Sequence, residues 1–412
     1  MTRITTIAAL LGSFLLGAGI ARADVVQHWN GIMVNTVGGQ NPFVQARFAA
    51  ITQVAVFEAV NACTRKYRPY LGTIDAPDGA SPSAAAIAAA HGVLKHYFPA
   101  SGASLDQLRD QSLAAIPDSQ AKFNGISVGE AAAAALIAHR ATDGAAPPEV
   151  FLPPTTDPGT WQPTPPAFGP GVLLHWRNLT PFGIESSDQF RSGEPPSLTS
   201  FRYKRAYNEV KRVGSASSTA RPQDRSDVAR FYNAAGAVHV WNTAVSQIMD
   251  HRPRSLTDNA RALALLNMAI SDGLVSSMET KYFYTFWRPV TAIRTGDTDG
   301  NPGTETDPTW EPFIPTPAFP SYPSAHASAS YAALEVAEQL FGRGRVGVSL
   351  THPGVPDVSL TYWCLSDIAT DIDDARIFGG IHFRFDQEAG ARQGRDVGQF
   401  VHRHHLRRAT RR

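Results

Sequence analysis

The stretch 323-PSAHASASYAALEVAEQLF-341 begins with Pro323-Ser324-Ala325-His326 and continues as an amphipathic run. Its apolar residues recur at steps of three and four, on one stripe formed by Ala327, Tyr331, Leu334, Ala337 and Phe341. This spacing predicts an α-helix with one buried face. Ser324 occupies the N-cap position, so the first turn offers unpaired amides to an anion. Taken alone, the stretch also fits a plain capped helix with an incidental histidine.

The same helical spacing extends over most of the chain. It occurs in the windows 44–60, 84–98, 128–141 and 228–248, and Ser255 with Asp258 marks the start of a further helix. Few segments alternate as strands do. We therefore predict an all-α protein of two packed helical bundles, with an anion pocket in the C-terminal bundle.

Composition divides the chain into three parts. Residues 1–23 carry an apolar run and the small-x-small site Ala21-Arg22-Ala23, which is typical of a secretory signal peptide. Residues 24–200 form an N-terminal helical region that ends in a proline-rich crossover, and residues 201–412 form the C-terminal bundle. We therefore predict an exported protein, periplasmic or secreted. Downstream of Asp24, nothing approaches the roughly 18 apolar residues of an integral membrane segment.

The charge balance bears on the class of partner. A net charge of +1, from 37 basic and 36 acidic residues, argues against nucleic acid as a partner. The basic end from His402 to Arg412 is interpreted as a solvated, frayed tail, with surface binding as a minor alternative. Cys63 and Cys364 could pair in an exported protein, and the sequence leaves this open.

Lys281 and Arg288 stand seven residues apart. A helix through 282–287 would point both cations the same way, so that one anion could meet both. That segment carries five aromatic residues, which indicates that it is buried. Alone, the two cations could equally be solvated surface charges.

A third segment contains Arg376, Gly379-Gly380, His382 and Asp386. In a helix beginning near Gly380, the carboxylate four residues after His382 could orient the imidazole ring. Such an orientation prepares a histidine to act as a nucleophile or a ligand. The alternative is a His/Asp pair on a helix surface.

In chain order these segments read Lys-x6-Arg-Pro, Pro-Ser-x-His and Ala-Arg-x5-His-x3-Asp. This series resembles the signature of the superfamily of type 2 phosphatidic acid phosphatases and vanadium-dependent haloperoxidases. The runs 287–293 and 379–383 are similar to those of exported bacterial haloperoxidase homologues.

The resemblance implies vanadate as the cofactor, with phosphate able to occupy the same site. His382 would bind vanadium, Asp386 would orient His382, and His326 would be the acid–base residue. Lys281 would both bind an oxygen and polarise peroxide. The full set of oxyanion-binding groups would be Lys281, Arg288, Ser324, the backbone amide of Ala325, and Arg376.

The function so implied is oxidation of halide by hydrogen peroxide to hypohalous acid, which acts on a small organic acceptor. Phe319 would neighbour the halide site and is similar to the phenylalanine of chloroperoxidases. An exported acid phosphatase with a phosphohistidine intermediate at His382 is the alternative. Ala325 stands where the family has glycine, and its methyl group could crowd the oxyanion or disfavour the backbone shape. A third hypothesis is therefore an oxyanion-binding protein without activity.

Overall fold

The computed structural model describes residues 24–252 and 254–409. The predicted all-α class is confirmed, since these residues form thirteen α-helices and one short hairpin of strands β1 and β2. The predicted signal peptide, 1–23, lies outside the described residues. The elements are α1 Val25–Val37, α2 Pro42–Thr64, α3 Pro82–Tyr97, α4 Gly102–Ala114, α5 Gln120–His139, α6 Phe201–Val213, α7 Gln223–Ala234, α8 Ala237–His251, α9 Leu256–Tyr284, α10 Pro289–Arg294, α11 Ala325–Phe341, β1 Val348–Thr351, β2 Ser359–Tyr362, α12 Leu365–Phe378 and α13 Arg384–His404.

Most predicted helical windows coincide with helices. The windows 44–60, 84–98 and 128–141 overlap α2, α3 and α5, and the Ser255 hydroxyl caps α9 by accepting from the amide of Asp258 at 3.2 Å. The prediction of a single helix over 228–248 is wrong. The backbone becomes extended at Ala235 and Gly236, and Gly236 is the N-cap of α8. Apolar spacing carries on across this break because both helices face the same core.

The two halves of the chain share one core. The largest hydrophobic cluster runs from Val26 to Leu406 and includes buried side chains of both α2 and α9. A second, mainly aromatic cluster contains Phe286, Trp287 and Phe383. This cluster supports the loops that precede α10 and α13. The division into 24–200 and 201–412 stays a prediction.

Close packing of α13 on α11 fixes the relation between two site segments. A Cβ atom added to Gly394 would lie 2.3 Å from the carbonyl oxygen of Ser328. Only glycine permits this approach. Where α11 and α13 begin, the Ser324 amide donates to the carbonyl of Asp386 at 3.0 Å. The start of α11 is thereby tied to the first turn of α13.

Contrary to the expectation that nothing downstream of Asp24 approaches a membrane segment in length and apolarity, one helix among the described residues is long and apolar enough to cross a membrane. It is Pro42–Thr64, and 83% of its most apolar window is buried inside the protein. Such burial is typical of the core helix of a globular fold.

Two further sequence features are resolved. Cys63 and Cys364 are free thiols, and burial raises the pKa of Cys63 to about 11.

The prediction of a frayed tail is wrong for residues 402–409. Residues 402–404 complete α13, and the amide of Arg68 donates to the carbonyl of Arg407 at 2.7 Å.

Candidate active site

Lys281 and Arg288 lie on either side of a chain reversal. The predicted helix through 282–287 is wrong, because α9 ends at Tyr284 and Thr285 takes a left-handed φ of 50°. The reversal nevertheless brings the two cations together. The Phe319 ring centroid lies 5.3 Å from Lys281 Nζ and 5.0 Å from Arg288 Cζ. Trp287 is buried as predicted, whereas Phe283 is 51% exposed.

Lys281 is fully buried. Its ammonium group donates to the carbonyl oxygens of Pro320 at 2.8 Å and Ser321 at 2.7 Å. Burial, reinforced by the charge of Arg288, holds the pKa of Lys281 well below its ordinary value. A bound anion would offset both the cost of burying the ammonium group and its repulsion by Arg288.

Both guanidinium groups are anchored yet incompletely satisfied. Arg288 donates from Nε to the Phe319 carbonyl at 2.8 Å and from Nη1 to the Ile381 carbonyl at 2.9 Å. Arg376 donates from Nη1 to the Tyr232 carbonyl at 2.9 Å. Arg288 Nη2 and Arg376 Nε are buried without a partner among the described residues. Burial lowers the pKa of Arg288 to about 9 and that of Arg376 to about 10.

His382 and Asp386 form the predicted pair, but not within one helix. Helix α13 begins at Arg384, so His382 belongs to the preceding loop and Asp386 to the first turn. His382 Nδ1 lies 2.8 Å from Asp386 Oδ2. The left-handed φ of 81° at Gly380 lets the chain turn sharply between α12 and this loop.

The hydrogen bonds of His382 determine its tautomer. Arg288 Nη1 lies 3.1 Å from His382 Nε2, and because a guanidinium can only donate, Nε2 must accept. Nδ1 therefore carries the proton and donates to Asp386. Burial and the nearby cations, Arg288 first, hold the pKa of His382 well below its ordinary value. The ring is thus neutral, with the lone pair of Nε2 directed toward Arg288.

Ser321 is a site residue that sequence reasoning missed. It is fully buried, and its hydroxyl donates to Asp386 Oδ2 at 2.5 Å. The Phe383 amide donates to the same oxygen at 3.0 Å. Burial raises the pKa of Asp386 to about 6, although the Ser321 hydrogen bond and the charge of Lys281 oppose this. No spacing rule singles out Ser321, and its proximity to Pro323-Ser324 was the one available signal.

The start of α11 has the geometry predicted for an anion-binding N-terminus. The buried Ser324 hydroxyl accepts from the Ala327 amide at 3.4 Å, and its own proton remains free to donate. Ala325 is the first residue of α11, with an ordinary negative φ. Its backbone shape therefore suits alanine, so the expected conformational penalty is absent.

His326 follows on the first turn of α11 and is partly exposed. Within the part of the chain that the structure describes, its ring makes no hydrogen bond. Burial, with Arg376, Lys281 and Arg288, holds its pKa well below the ordinary value. His326 is therefore a neutral imidazole in the field of all three cations.

The charge balance of this cluster favours an anion. Three buried cations surround one buried carboxylate, that of Asp386. Two buried guanidinium nitrogens lack partners within the described part of the chain, and the α11 amides and Ser324 hydroxyl add uncharged donors. A tetrahedral oxyanion would satisfy these donors and the excess positive charge together. The donor set therefore fits vanadate or phosphate.

Part of the sequence and most of the fold resemble known proteins. A family model described as the VCPO second helical-bundle domain matches residues 261–411. The vanadium chloroperoxidase of Curvularia inaequalis is 36% identical over 100 residues, a segment that spans 22% of this chain and 16% of that relative.

Two solved structures resemble the whole fold. The first bacterial vanadium-dependent iodoperoxidase superimposes with a TM-score of 0.73 at 24% identity, over 93% of this chain and 95% of that one. A holo-type bacterial vanadium-dependent chloroperoxidase gives 0.72 at 18% identity, over 89% and 93%. These matches support the resemblance to vanadium haloperoxidases, in sequence through residues 261–411 and in the fold of the described residues.

Proposed function

We propose that this protein is a vanadate-dependent haloperoxidase that oxidises halide with hydrogen peroxide to hypohalous acid. The observation that carries the proposal is the buried convergence of Lys281, Arg288 and Arg376 on His382, with guanidinium N–H groups left to donate. The match of residues 261–411 to the VCPO second helical-bundle domain supports peroxidase chemistry over phosphate ester hydrolysis. A small organic acceptor would consume the hypohalous acid.

The residues present fit vanadate as the resident cofactor. Its oxygens would be held by Lys281, Arg288 and Arg376, together with the Ser324 hydroxyl and the Ala325 amide. His382 would be the vanadium ligand through Nε2, which is the nitrogen that Asp386 leaves unprotonated. When bound, vanadate supplies a Lewis acid that activates peroxide.

The protein's own residues would supply binding, orientation and proton transfer. Asp386 fixes the tautomer of His382, and Ser321 fixes Asp386. His326 is neutral and partly exposed, so it can accept a proton from hydrogen peroxide arriving from solvent. Lys281 would polarise the peroxide, because two carbonyl oxygens hold its ammonium group in place.

Phe319 would form the wall beside the halide position. Its ring lies against both Lys281 and Arg288, which excludes water from one side of these cations. Halide preference would depend on how completely this wall strips water from the ion.

We also propose that the protein is exported to the periplasm or the medium. The proposal rests on the segment 1–23, with its apolar run and Ala21-Arg22-Ala23. Amino-terminal sequencing of the protein recovered outside the cytoplasm should begin at Asp24. Recovery of an intact amino terminus from the cytoplasm would reject export.

Two assays on the same purified protein test the activity. With vanadate supplied, peroxide should oxidise bromide. Without vanadate, release of phosphate from an aryl phosphate should be negligible. The reverse pattern would identify a phosphatase with a phosphohistidine at His382. Binding of phosphate with neither activity would identify an inactive oxyanion-binding protein. His382→Ala is the matched control, since any activity that survives it does not arise at this site.

A further inference from the structure

A second concentration of positive charge lies away from the candidate active site, where the end of α13 meets the start of α9. A shallow cavity of about 600 Å³, wide open to solvent, lies there. Among residues 24–252 and 254–409, its lining contains no carboxylate and consists of six basic residues, Arg261, His402, Arg403, His404, Arg407 and Arg408. Six basic side chains therefore lie around one cavity, although the net charge of the whole chain is only +1.

The backbone of this cavity is fixed. Tyr67 and Arg408 form an antiparallel bridge, and the Arg68 amide donates to the Arg407 carbonyl at 2.7 Å. On the opposite wall, Arg261 Nε donates to the Leu406 carbonyl at 2.6 Å. These bonds hold residues 406–408 against α9, so the arginines start from an ordered framework. Pre-ordering of this kind reduces the entropy cost of binding a ligand.

The charges of the cavity are only partly compensated. Within residues 24–252 and 254–409, none of the six basic side chains forms an ion pair with a carboxylate. Two carboxylates outside the cavity lining act at longer range, Asp258 on Arg261 and Glu335 on His402. Asp258 is shared with Lys66, whose ammonium group it binds at 2.7 Å. Burial, followed by repulsion from Arg261, lowers the pKa of His402.

The dipole of α13 accounts for part of this pattern only. Cations in the last turn of a helix stabilise its carbonyl end, which would explain His402, Arg403 and His404. Arg407 and Arg408 follow the helix, and Arg261 belongs to α9. These three arginines lie outside the last turn of α13, so capping of that turn does not account for them, and their like charges repel one another.

We propose that this cavity is a second anion site that binds a phosphate group carrying two or more negative charges. Paired guanidinium groups match phosphate oxygens in geometry and charge, and the cavity is large enough for a phosphate with a substituent. The phosphate could belong to a free phosphate compound or to an anionic lipid headgroup.

Calorimetric titration of the full-length protein with inorganic pyrophosphate tests the site. Arg407→Ala with Arg408→Ala should weaken one binding event about tenfold or more, since two charge-assisted hydrogen-bond donors are lost. The matched control is Arg343→Ala with Arg345→Ala, which removes two exposed arginines elsewhere. Any binding at the candidate active site should persist in both variants, and so should bromide oxidation.

Vesicle sedimentation separates the two sources of phosphate. Binding to phosphatidylglycerol vesicles, but not to phosphatidylcholine vesicles, in a manner that requires Arg407 and Arg408 would identify a lipid headgroup. Pyrophosphate binding without vesicle binding would identify a free phosphate compound. The proposal is overturned if the Arg407/Arg408 variant titrates like the parent. Equal weakening in the control pair would also overturn it, because net charge alone would then explain the binding.

Discussion

Asp386 holds the imidazole of His382 across the junction between a loop and a helix, with 2.8 Å between Oδ2 and Nδ1. The carboxylate comes from the first turn of α13 and the imidazole from the loop before it. This contact leaves Nε2 of His382 as the acceptor that faces Arg288. The side-chain orientation on which the proposed cofactor site depends is therefore set within five consecutive residues.

Replacing Asp386 with asparagine should weaken vanadate binding about 10- to 100-fold, the usual cost of losing the partner of a ligating histidine. An amide no longer fixes the proton on Nδ1, so the ring loses its preferred tautomer. Equilibrium dialysis against vanadate measures the effect. Ser321→Ala removes the hydrogen bond to Asp386 and the 3.3 Å contact with His382 Nδ1 but keeps the carboxylate, and it should cost less than about tenfold. Parent-like affinity in Asp386→Asn would mean that the carboxylate does not orient the ligand.

The two histidines should separate by role. His382→Ala should abolish tight vanadate retention, because it removes the proposed ligand atom. His326→Ala should retain vanadate but lower the turnover of bromide by about 100-fold or more, the usual contribution of a general base. Vanadium content after gel filtration and initial rates on the same samples test both statements. Equal vanadate retention by His382→Ala and the parent would reject the ligand assignment.

Ala325→Gly tests the departure from the family pattern. Ala325 has a helical backbone, so glycine offers no conformational relief there and adds flexibility to the first turn. We expect vanadate affinity and turnover to change by less than about threefold, within about 0.7 kcal/mol. A large gain in either quantity would show that the alanine methyl group crowds the anion.

Sequence patterns were sufficient to predict the class of fold and the members of the charged cluster. Helical period and the Ser324 N-cap depend on local interactions, which spacing records directly. The course of the loops that connect the helices was predicted less well. The chain turns at Thr285, where a residue other than glycine takes a left-handed φ. No sequence pattern identifies such a residue in advance. The loop around His382 was mistaken for helix because a His–Asp spacing of four also suits a loop that enters a helix.

Contacts between distant segments that lie outside the motif residues could not be predicted. Ser321 supports Asp386 across 65 residues of sequence, and a single buried serine has no distinguishing pattern. The cavity around Arg407 and Arg408 depends on pairing with residues 66–68 at the other end of the chain. Basic composition alone favoured a solvated tail there, and the tertiary pairing overrides that tendency.

Phe319→His should lower chloride oxidation more than bromide oxidation. A polar ring would keep water beside Lys281 and Arg288, and chloride, the more strongly hydrated ion, is harder to desolvate. The ratio of kcat/KM for the two halides, measured at one pH, gives the result. Phe319→Leu keeps an apolar wall and serves as the control. An unchanged ratio in Phe319→His would remove Phe319 from the halide site.

Stability of the anion-free protein should depend on pH through His326. Its pKa is lowered on folding, so below about pH 6.5 the unfolded chain binds a proton that the folded protein does not. The stability present above that pH is therefore lost as the pH falls. In His326→Asn the slope of the free energy of unfolding between pH 5 and 6.5 should decrease by up to about 1.4 kcal/mol per pH unit. Asp386, whose raised pKa acts in the opposite direction, is present in both proteins and cancels. Parallel curves from urea unfolding would contradict the prediction.

A crystal structure of the protein soaked with vanadate tests most directly whether the three distant segments bind one oxyanion. The anomalous signal of vanadium should give one peak per chain, beside His382 Nε2 and within reach of the unpaired N–H groups of Arg288 and Arg376. A peak at any other place, or none in crystals of a protein that binds vanadate stoichiometrically in solution, would contradict the shared site.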